Sequence, residues 1–231
     1  MPVLAETVDA LARDTGFAGA VSVQRAGESV FEGAYGLADR AHRIPNTVGT
    51  RFGIASGVKG LTALAVVSVI EEGLLSFDTT ARSLLGDDLP LIDDAVTVEQ
   101  LLGHRSGIGD YFDEEAGGEI TDYVLPVPVH ELVDTEDYLR VLDGFPQEFT
   151  PGERFSYCNG GYVVLALLAE RASGVPFHRL ARERVAEPAG MLSTGFLRSD
   201  ELPGDAALGY LPLDAADGAD RTNVFHLPVR G

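Results

Sequence analysis

The sequence predicts an α/β (α+β) protein: the start of an antiparallel sheet, a long and mostly helical section, then a loop-rich return toward the sheet. Three observations predict it. Residues 19–35 alternate like the two strands of a hairpin, with Ala26-Gly27-Glu28 as the turn. Two strongly apolar segments, 56–72 and 160–172, are too long for strands, and each is followed by a glycine, Gly73 or Gly174. No repeat or low-complexity linker interrupts the chain, and no apolar stretch reaches the about 20 residues of a membrane span.

Each element has its own local reason. Val3–Asp14 places Leu4, Val8 and Leu11 on one helical face, and Gly16 is a natural stop. The hairpin follows as Gly19–Arg25 and Ser29–Tyr35, and a polar stretch with Pro45, Asn46 and Gly49 reads as loop. Ser56–Glu72 is apolar on nearly every face after its first turn, which predicts a central, buried helix. Gly57 and Gly60 cost that helix about 1 kcal/mol each against Ala. Close packing and backbone exposed to a ligand account for them equally well.

Further on, Thr97-Val-Glu-Gln100 is a capping-box pattern opening a short helix through Gly103. Residues 110–137 are rich in acid, contain Pro126 and Pro128, and read as a mobile, exposed excursion. Phe149–Glu153 is a turn, Gly160–Ala172 a second apolar helix, Pro176–Val185 one more, and Pro188–Gly231 is loop-rich. Three divisions result: 1–55, an N-terminal helix and the first strands of a sheet lobe; 56–200, a mostly helical lobe; and 201–231, a loop-rich segment leading back to the sheet. Two strands make an unstable sheet by themselves. The remaining strands are expected beyond Gly231, or on a second chain or fragment.

Composition excludes several functions. The 231 residues suffice for one large domain or two packed lobes, and 45% hydrophobic with 23% charged residues is globular composition rather than disorder. A net charge of −19 argues against nucleic acid or an anionic membrane as partner, because each phosphate contact wants Lys or Arg. One cysteine, Cys158, rules out a disulfide framework and a Cys-based zinc cluster. The five histidines show no HxH or HExxH spacing, and there is no GxGxxG or GxxxxGK[ST], so no metal or other cofactor is expected. The first thirty residues lack a basic start followed by an apolar run, which favours a cytoplasmic protein.

One basic residue stands apart. Of 17 lysines and arginines, 16 are arginine, and Lys59 is the single lysine. Coding bias explains the depletion, but lysine can lose its proton when desolvated whereas arginine effectively cannot. Lys59 closes the pattern Ser56-Gly57-Val58-Lys59, in which serine and lysine lie one helical turn apart on the same face. A serine hydroxyl is a poor nucleophile until a base takes its proton, and a buried amine can help do that. Alone, the pattern equally describes an N-cap serine with a surface lysine. A second element, Tyr157-Cys158-Asn159, precedes the next apolar helix. On an extended segment the phenol and the amide point to the same side. A phenol can serve as general base beside an ammonium; the bland alternative is a packed tyrosine with Asn159 as N-cap. Cys158 between them reads as a small filler.

These elements and their flanks, Phe52-Gly-Ile-Ala-Ser56-Gly-Val-Lys59, Glu72-Gly-Leu-Leu-Ser-Phe-Asp78, Val98-Glu-Gln-Leu-Leu-Gly-His-Arg-Ser-Gly107 and Thr150-Pro-Gly-Glu-Arg-Phe-Ser-Tyr157-Cys-Asn159-Gly-Gly-Tyr162, occur in order. Together with Glu187–Thr194 they resemble the serine beta-lactamase-like superfamily, the group of class C beta-lactamases, D-alanyl-D-alanine carboxypeptidases and family VIII esterases. The resemblance covers roughly Gly19 to Thr194. It implies the beta-lactamase/transpeptidase-like fold, an antiparallel sheet lobe plus a mostly helical lobe. By match to the motifs, Ser56 is the acylated nucleophile, Lys59 assists its deprotonation, Tyr157 is the general base, and Asn159 hydrogen-bonds the substrate. The Ser56 backbone N–H supplies one oxyanion donor, and His104 orients a loop.

The family's third motif, Lys-Thr-Gly or His-x-Gly on a later strand, has no match here. His226 is followed by Leu227-Pro228, and proline is a poor strand residue. Two functional expectations follow. The first is a serine hydrolase that forms an acyl-enzyme on a small-molecule or short-peptide ester, amide or beta-lactam. The second is a catalytically silent protein on the same scaffold that binds a penicillin or a peptidoglycan fragment. A Ser-His-Asp hydrolase is a weaker rival, because no GxSxG elbow occurs.

Overall fold

The computed structural model describes residues 2–112, 125–201, 204–211 and 222–223, and these fall into two compact units. The first unit takes in described residues of Met1–Ile54 and Leu202–Val224. Its helix α1 (Pro2–Thr15) half-buries Leu4 and Val8 and buries Ala12, while Leu11 is 58% exposed. The covered stripe therefore follows i, i+4 spacing, and Ala12 takes the place expected of Leu11. Strands β1 (Gly19–Arg25) and β2 (Glu28–Tyr35) pair antiparallel, from Gly19 opposite Tyr35 to Arg25 opposite Glu28, with a register shift between Val23 and Gln24. Ala26 (φ +52°) and Gly27 (φ +83°) are both left-handed, as a two-residue hairpin turn matching the strand twist requires.

A second ladder, β3 (Leu37–Asp39) with β4 (Ile44–Pro45), stands where the sequence reads as loop. Asn46 explains it. Its buried amide donates to the Tyr35 carbonyl at 2.8 Å and its backbone N–H to the Gly36 carbonyl at 3.0 Å, a tertiary clamp with no local signature. Residues 205–208 also join this unit. Arg51 N–H donates to Asp205 O at 2.8 Å, Ala207 N–H to Arg51 O at 2.8 Å, and Leu208 N–H to Ala38 O at 2.9 Å.

The second unit takes in the described residues of Ala55–Glu201. It is helical: α2 (Val58–Glu71), α3 (Arg82–Leu85), α4 (Val98–Leu102), α5 (Leu139–Leu142), α6 (Asn159–Ser173) and α7 (Phe177–Ala181). The core lies between α2, through Ala65, Val66 and Val69, and α6, through Val164 to Ala169, closed by α4 and α7. The helix predicted over 56–72 forms, but its burial is one-sided, with Leu64 57% exposed. An all-apolar sequence says that every face can be buried, and among the described residues α2 buries only the face turned to α6 and α7. Among the described residues, no atom beyond its own helix backbone and chain neighbours lies within 4 Å of where a Cβ on Gly60 would stand, so close packing there does not explain that glycine.

Thr97 and Gln100 form the predicted capping box at α4, with bonds of 3.3 and 3.0 Å. Gly174, left-handed at φ +67°, ends α6, and α7 runs on into a π turn over Arg182–Ala186, which together match the helix predicted at 176–185. The acidic stretch 110–137 is corrected over its described part. Leu132 is fully buried, and the Asp137 carboxylate accepts from the Val133 and Asp134 N–H groups at 3.0 and 2.9 Å. Acid here serves the backbone rather than an exposed excursion. Residues 113–124 of that stretch, and 224–231 with His226, lie outside the described residues. No helix among the described residues is long and apolar enough to cross a membrane.

Candidate active site

Ala55, with φ +44°, turns the chain into a 3-10 turn, Ala55–Gly57, which runs directly into α2. Ser56 sits exposed in that turn and Lys59 half-buried in the first turn of the helix. The i, i+3 spacing brings them together, with Lys59 Nζ donating to Ser56 Oγ at 3.1 Å. The segment before α6 approaches from the other side. Tyr157 OH donates to Ser56 Oγ at 2.8 Å, and Asn159 Oδ1 accepts from Lys59 Nζ at 2.8 Å. The ammonium also lies 4.8 Å from the centroid of the Tyr157 ring, within cation–π range. All four residues singled out in the sequence, Ser56, Lys59, Tyr157 and Asn159, thus meet in one cluster of the second unit, although about 100 residues of chain separate the two motifs.

The way α6 begins frees Asn159 for this cluster. Cys158, extended at φ −135° and ψ 115°, is the N-cap, its Sγ accepting from the Gly161 N–H at 3.3 Å. Asn159 is therefore the first helical residue and not the cap, and its side-chain nitrogen donates to the Phe112 carbonyl at 3.1 Å. Burial, with the nearby Asp110 charge adding to it, pushes the Cys158 thiol up to about 12. It stays a neutral cap and filler at neutral pH, not a nucleophile.

Asp110 is the residue that sequence reasoning misses. Its carboxylate accepts from the backbone N–H groups of Asn159, of Gly160 at 2.9 Å and of Phe112 at 3.3 Å, so it fastens the start of α6 to the loop after His104. Burial raises its pKa above the ordinary carboxylate range, and the bonds from Gly160, Asn159 and Phe112 oppose that rise. A carboxylate in an acid-rich stretch carries no local mark of such a role. The one signal is that glycine at 160 leaves room, because a Cβ there would lie 3.2 Å from Asp110 Oδ1.

A serine hydroxyl at a helix start, bracketed by a lysine amine and a tyrosine phenol, is the arrangement of the serine beta-lactamase-like class. A family profile described as Beta-lactamase matches residues 4–225, and the chain belongs to that family. The esterase EstB of Burkholderia gladioli is 33% identical over 202 residues, covering 83% of this chain and 50% of its own. A D-aminopeptidase of Brucella anthropi is 31% identical over 205 residues, covering 84% of this chain and 37% of its own. The crystal structure of a penicillin binding protein from Bacillus halodurans superposes with a TM-score of 0.87 at 40% identity, over 96% of this chain and 67% of that one. The fold is thus beta-lactamase/transpeptidase-like, as the motifs imply. The chain spans half or less of the length of these two curated relatives.

Proposed function

We propose that the protein is a serine hydrolase of the beta-lactamase-like type, acylated on Ser56 by a small ester, amide or beta-lactam. The observation that carries this reading is the Ser56 hydroxyl oxygen held between Lys59 Nζ at 3.1 Å and Tyr157 OH at 2.8 Å. In the reactive form the Tyr157 phenolate takes the Ser56 proton, with the Lys59 ammonium offsetting its charge. Oγ then attacks the carbonyl carbon. The tetrahedral oxyanion develops at the start of α2, where the Ser56 N–H and the helix dipole favour negative charge. Collapse expels the leaving group, which takes the proton from Tyr157, and leaves an ester on Ser56. Water attacks that ester, giving its proton to Tyr157; the tetrahedral intermediate then collapses, Tyr157 returns that proton to the departing Ser56 Oγ, and the acid leaves. Asn159, tied to Lys59 Nζ and to Phe112 O, holds the ammonium in place and presents its amide to the substrate.

Intact-mass measurement before and after exposure to a fluorophosphonate or a penicillin tests this reading. The expected result is one adduct per chain, mapped to Ser56 and absent from Ser56→Ala. An unmodified wild-type chain that still binds a penicillin saturably would replace the hydrolase with a binding protein.

A further inference from the structure

We infer that His104 is the positioning residue for Tyr157, gripping the segment before α6 on both sides of the tyrosine and supporting the phenol ring with its own. The inference deepens the serine-hydrolase reading and rests on it. His104 O accepts from the Ser156 N–H at 2.9 Å, and His104 Nδ1 accepts from the Cys158 N–H at 3.1 Å. The residue between those two anchors is Tyr157. Its ring stacks on the imidazole with centroids 4.5 Å apart and planes 29° apart. Tyr162 supports the imidazole further, at 4.9 Å and 31°, with its own hydroxyl fixed to Leu102 O at 3.0 Å. The phenol whose oxygen meets Ser56 is therefore held by its backbone on both flanks and by its face.

The grip demands an unusual backbone. His104 has φ +52°, a left-handed conformation rare for a residue with a side chain, though histidine, asparagine and aspartate adopt it more readily than most. In this conformation its carbonyl and its ring both address the segment around Tyr157. A loop-orienting role would need neither the Nδ1 bond nor the stacking.

The grip also demands one protonation state. Nδ1 must be free of a proton to accept from Cys158, so the ring is neutral and carries its proton on Nε2. The groups facing it are Lys59 from α2, Tyr162 from α6, Tyr157 and Phe155 from the gripped segment, and Asp110 from the following loop. Burial first, and the Lys59 charge second, hold the imidazole pKa below its ordinary 6.5, with the Asp110 charge pulling the other way. The unfolded chain thus takes up this proton at higher pH than the folded one does. The stabilisation of the neutral, gripping form is complete above about pH 6.5 and declines as pH falls through that value and below. Protonation sets an Nδ1–H against the Cys158 N–H and releases the segment.

His104→Asn tests the role, because asparagine tolerates the left-handed backbone and its Oδ1 can still accept from Cys158, while the ring support is gone. The maximal rate of Ser56 acylation by a fluorophosphonate is expected to fall about 10- to 100-fold, with the half-saturating concentration changed less than about twofold. The part of the acid limb that His104 protonation contributes to the wild-type rate is expected to disappear in the variant. Two measurements need no turnover: nitrogen NMR of His104 should show the Nε2–H tautomer, and the Tyr157 ring should flip faster in the variant. An Nδ1–H tautomer, or acylation and ring flipping equal to wild type in a folded His104→Asn, overturns the positioning role. Absence of any wild-type adduct on Ser56 overturns the hydrolase reading instead, and the NMR measurements still decide the His104–Tyr157 contact.

Discussion

Lys59 and the arginines of this chain do different work, and the difference is geometric. Lys59 places one compact charge between two oxygens, Ser56 Oγ at 3.1 Å and Asn159 Oδ1 at 2.8 Å. A planar guanidinium cannot take that place without spreading over both neighbours. Asp110 is the other single residue on which the arrangement depends, since three backbone N–H groups converge on its two oxygens. Asp110→Asn turns one of those oxygens into a donor facing a donor. The expected cost is roughly 1–3 kcal/mol of stability, because a buried N–H loses its acceptor. Denaturant unfolding monitored by far-UV circular dichroism measures it, and a midpoint unchanged from wild type would show that Asp110 is not holding α6. The sequence makes Ser56, Lys59, Tyr157 and Asn159 legible because their spacings are local. It hides Asp110, whose partners at the start of α6 lie 49 and 50 residues away.

At the scale of elements, the helices follow from pattern and the irregular connections from arginine. The stretch after α3 has no regular structure to satisfy its carbonyls. Arg82 does so from within α3: Nη1 donates to Gly86 O at 2.7 Å and Asp88 O at 2.8 Å, and Nη2 to Leu89 O at 3.0 Å and Ile92 O at 2.8 Å. Its Nε pairs with Asp94 at 2.9 Å. Arg82→Lys keeps the charge but has three donors on one nitrogen and cannot span these carbonyls. Losing two or three such bonds is expected to cost about 2 kcal/mol, with amide exchange quickening first over residues 86–94. Exchange at wild-type rates across that stretch would contradict it. Helices 56–72 and 160–172 are readable in the sequence because periodicity, length and a terminal glycine agree. The β3–β4 ladder is not, because what fixes it is the Asn46 side chain reaching the Tyr35 carbonyl. No two- or three-residue strand carries a period of its own.

For the whole molecule, charge is the term that composition fixes most firmly. With a net charge of −19 on 231 residues, mutual repulsion opposes compaction at low ionic strength. Raising sodium chloride from about 0.02 M to about 0.5 M shortens the Debye length from more than 20 Å to under 5 Å. The melting temperature is expected to rise by about 2–4 °C, the shift that 1 kcal/mol gives a protein of this size. A melting temperature that falls across that range would show that ion pairs such as Arg171 with Asp88 and Glu136 outweigh the repulsion. Family membership is likewise a property of the whole chain, since the match runs over residues 4–225 rather than over any one motif. By itself the sequence determined the long apolar helices, the hairpin and the two motifs, because each rests on spacings within about a dozen residues, where chain geometry links residue type to position, and it determined the family through the order of such segments along the chain. Only the tertiary structure decided that Cys158 rather than Asn159 caps α6, that Asp110 anchors it, and that His104 lies against Tyr157. The Asp110 contacts with α6 and the His104 contacts join residues 49 to 54 positions apart in sequence through hydrogen bonds and ring stacking, for which a linear chain has no period.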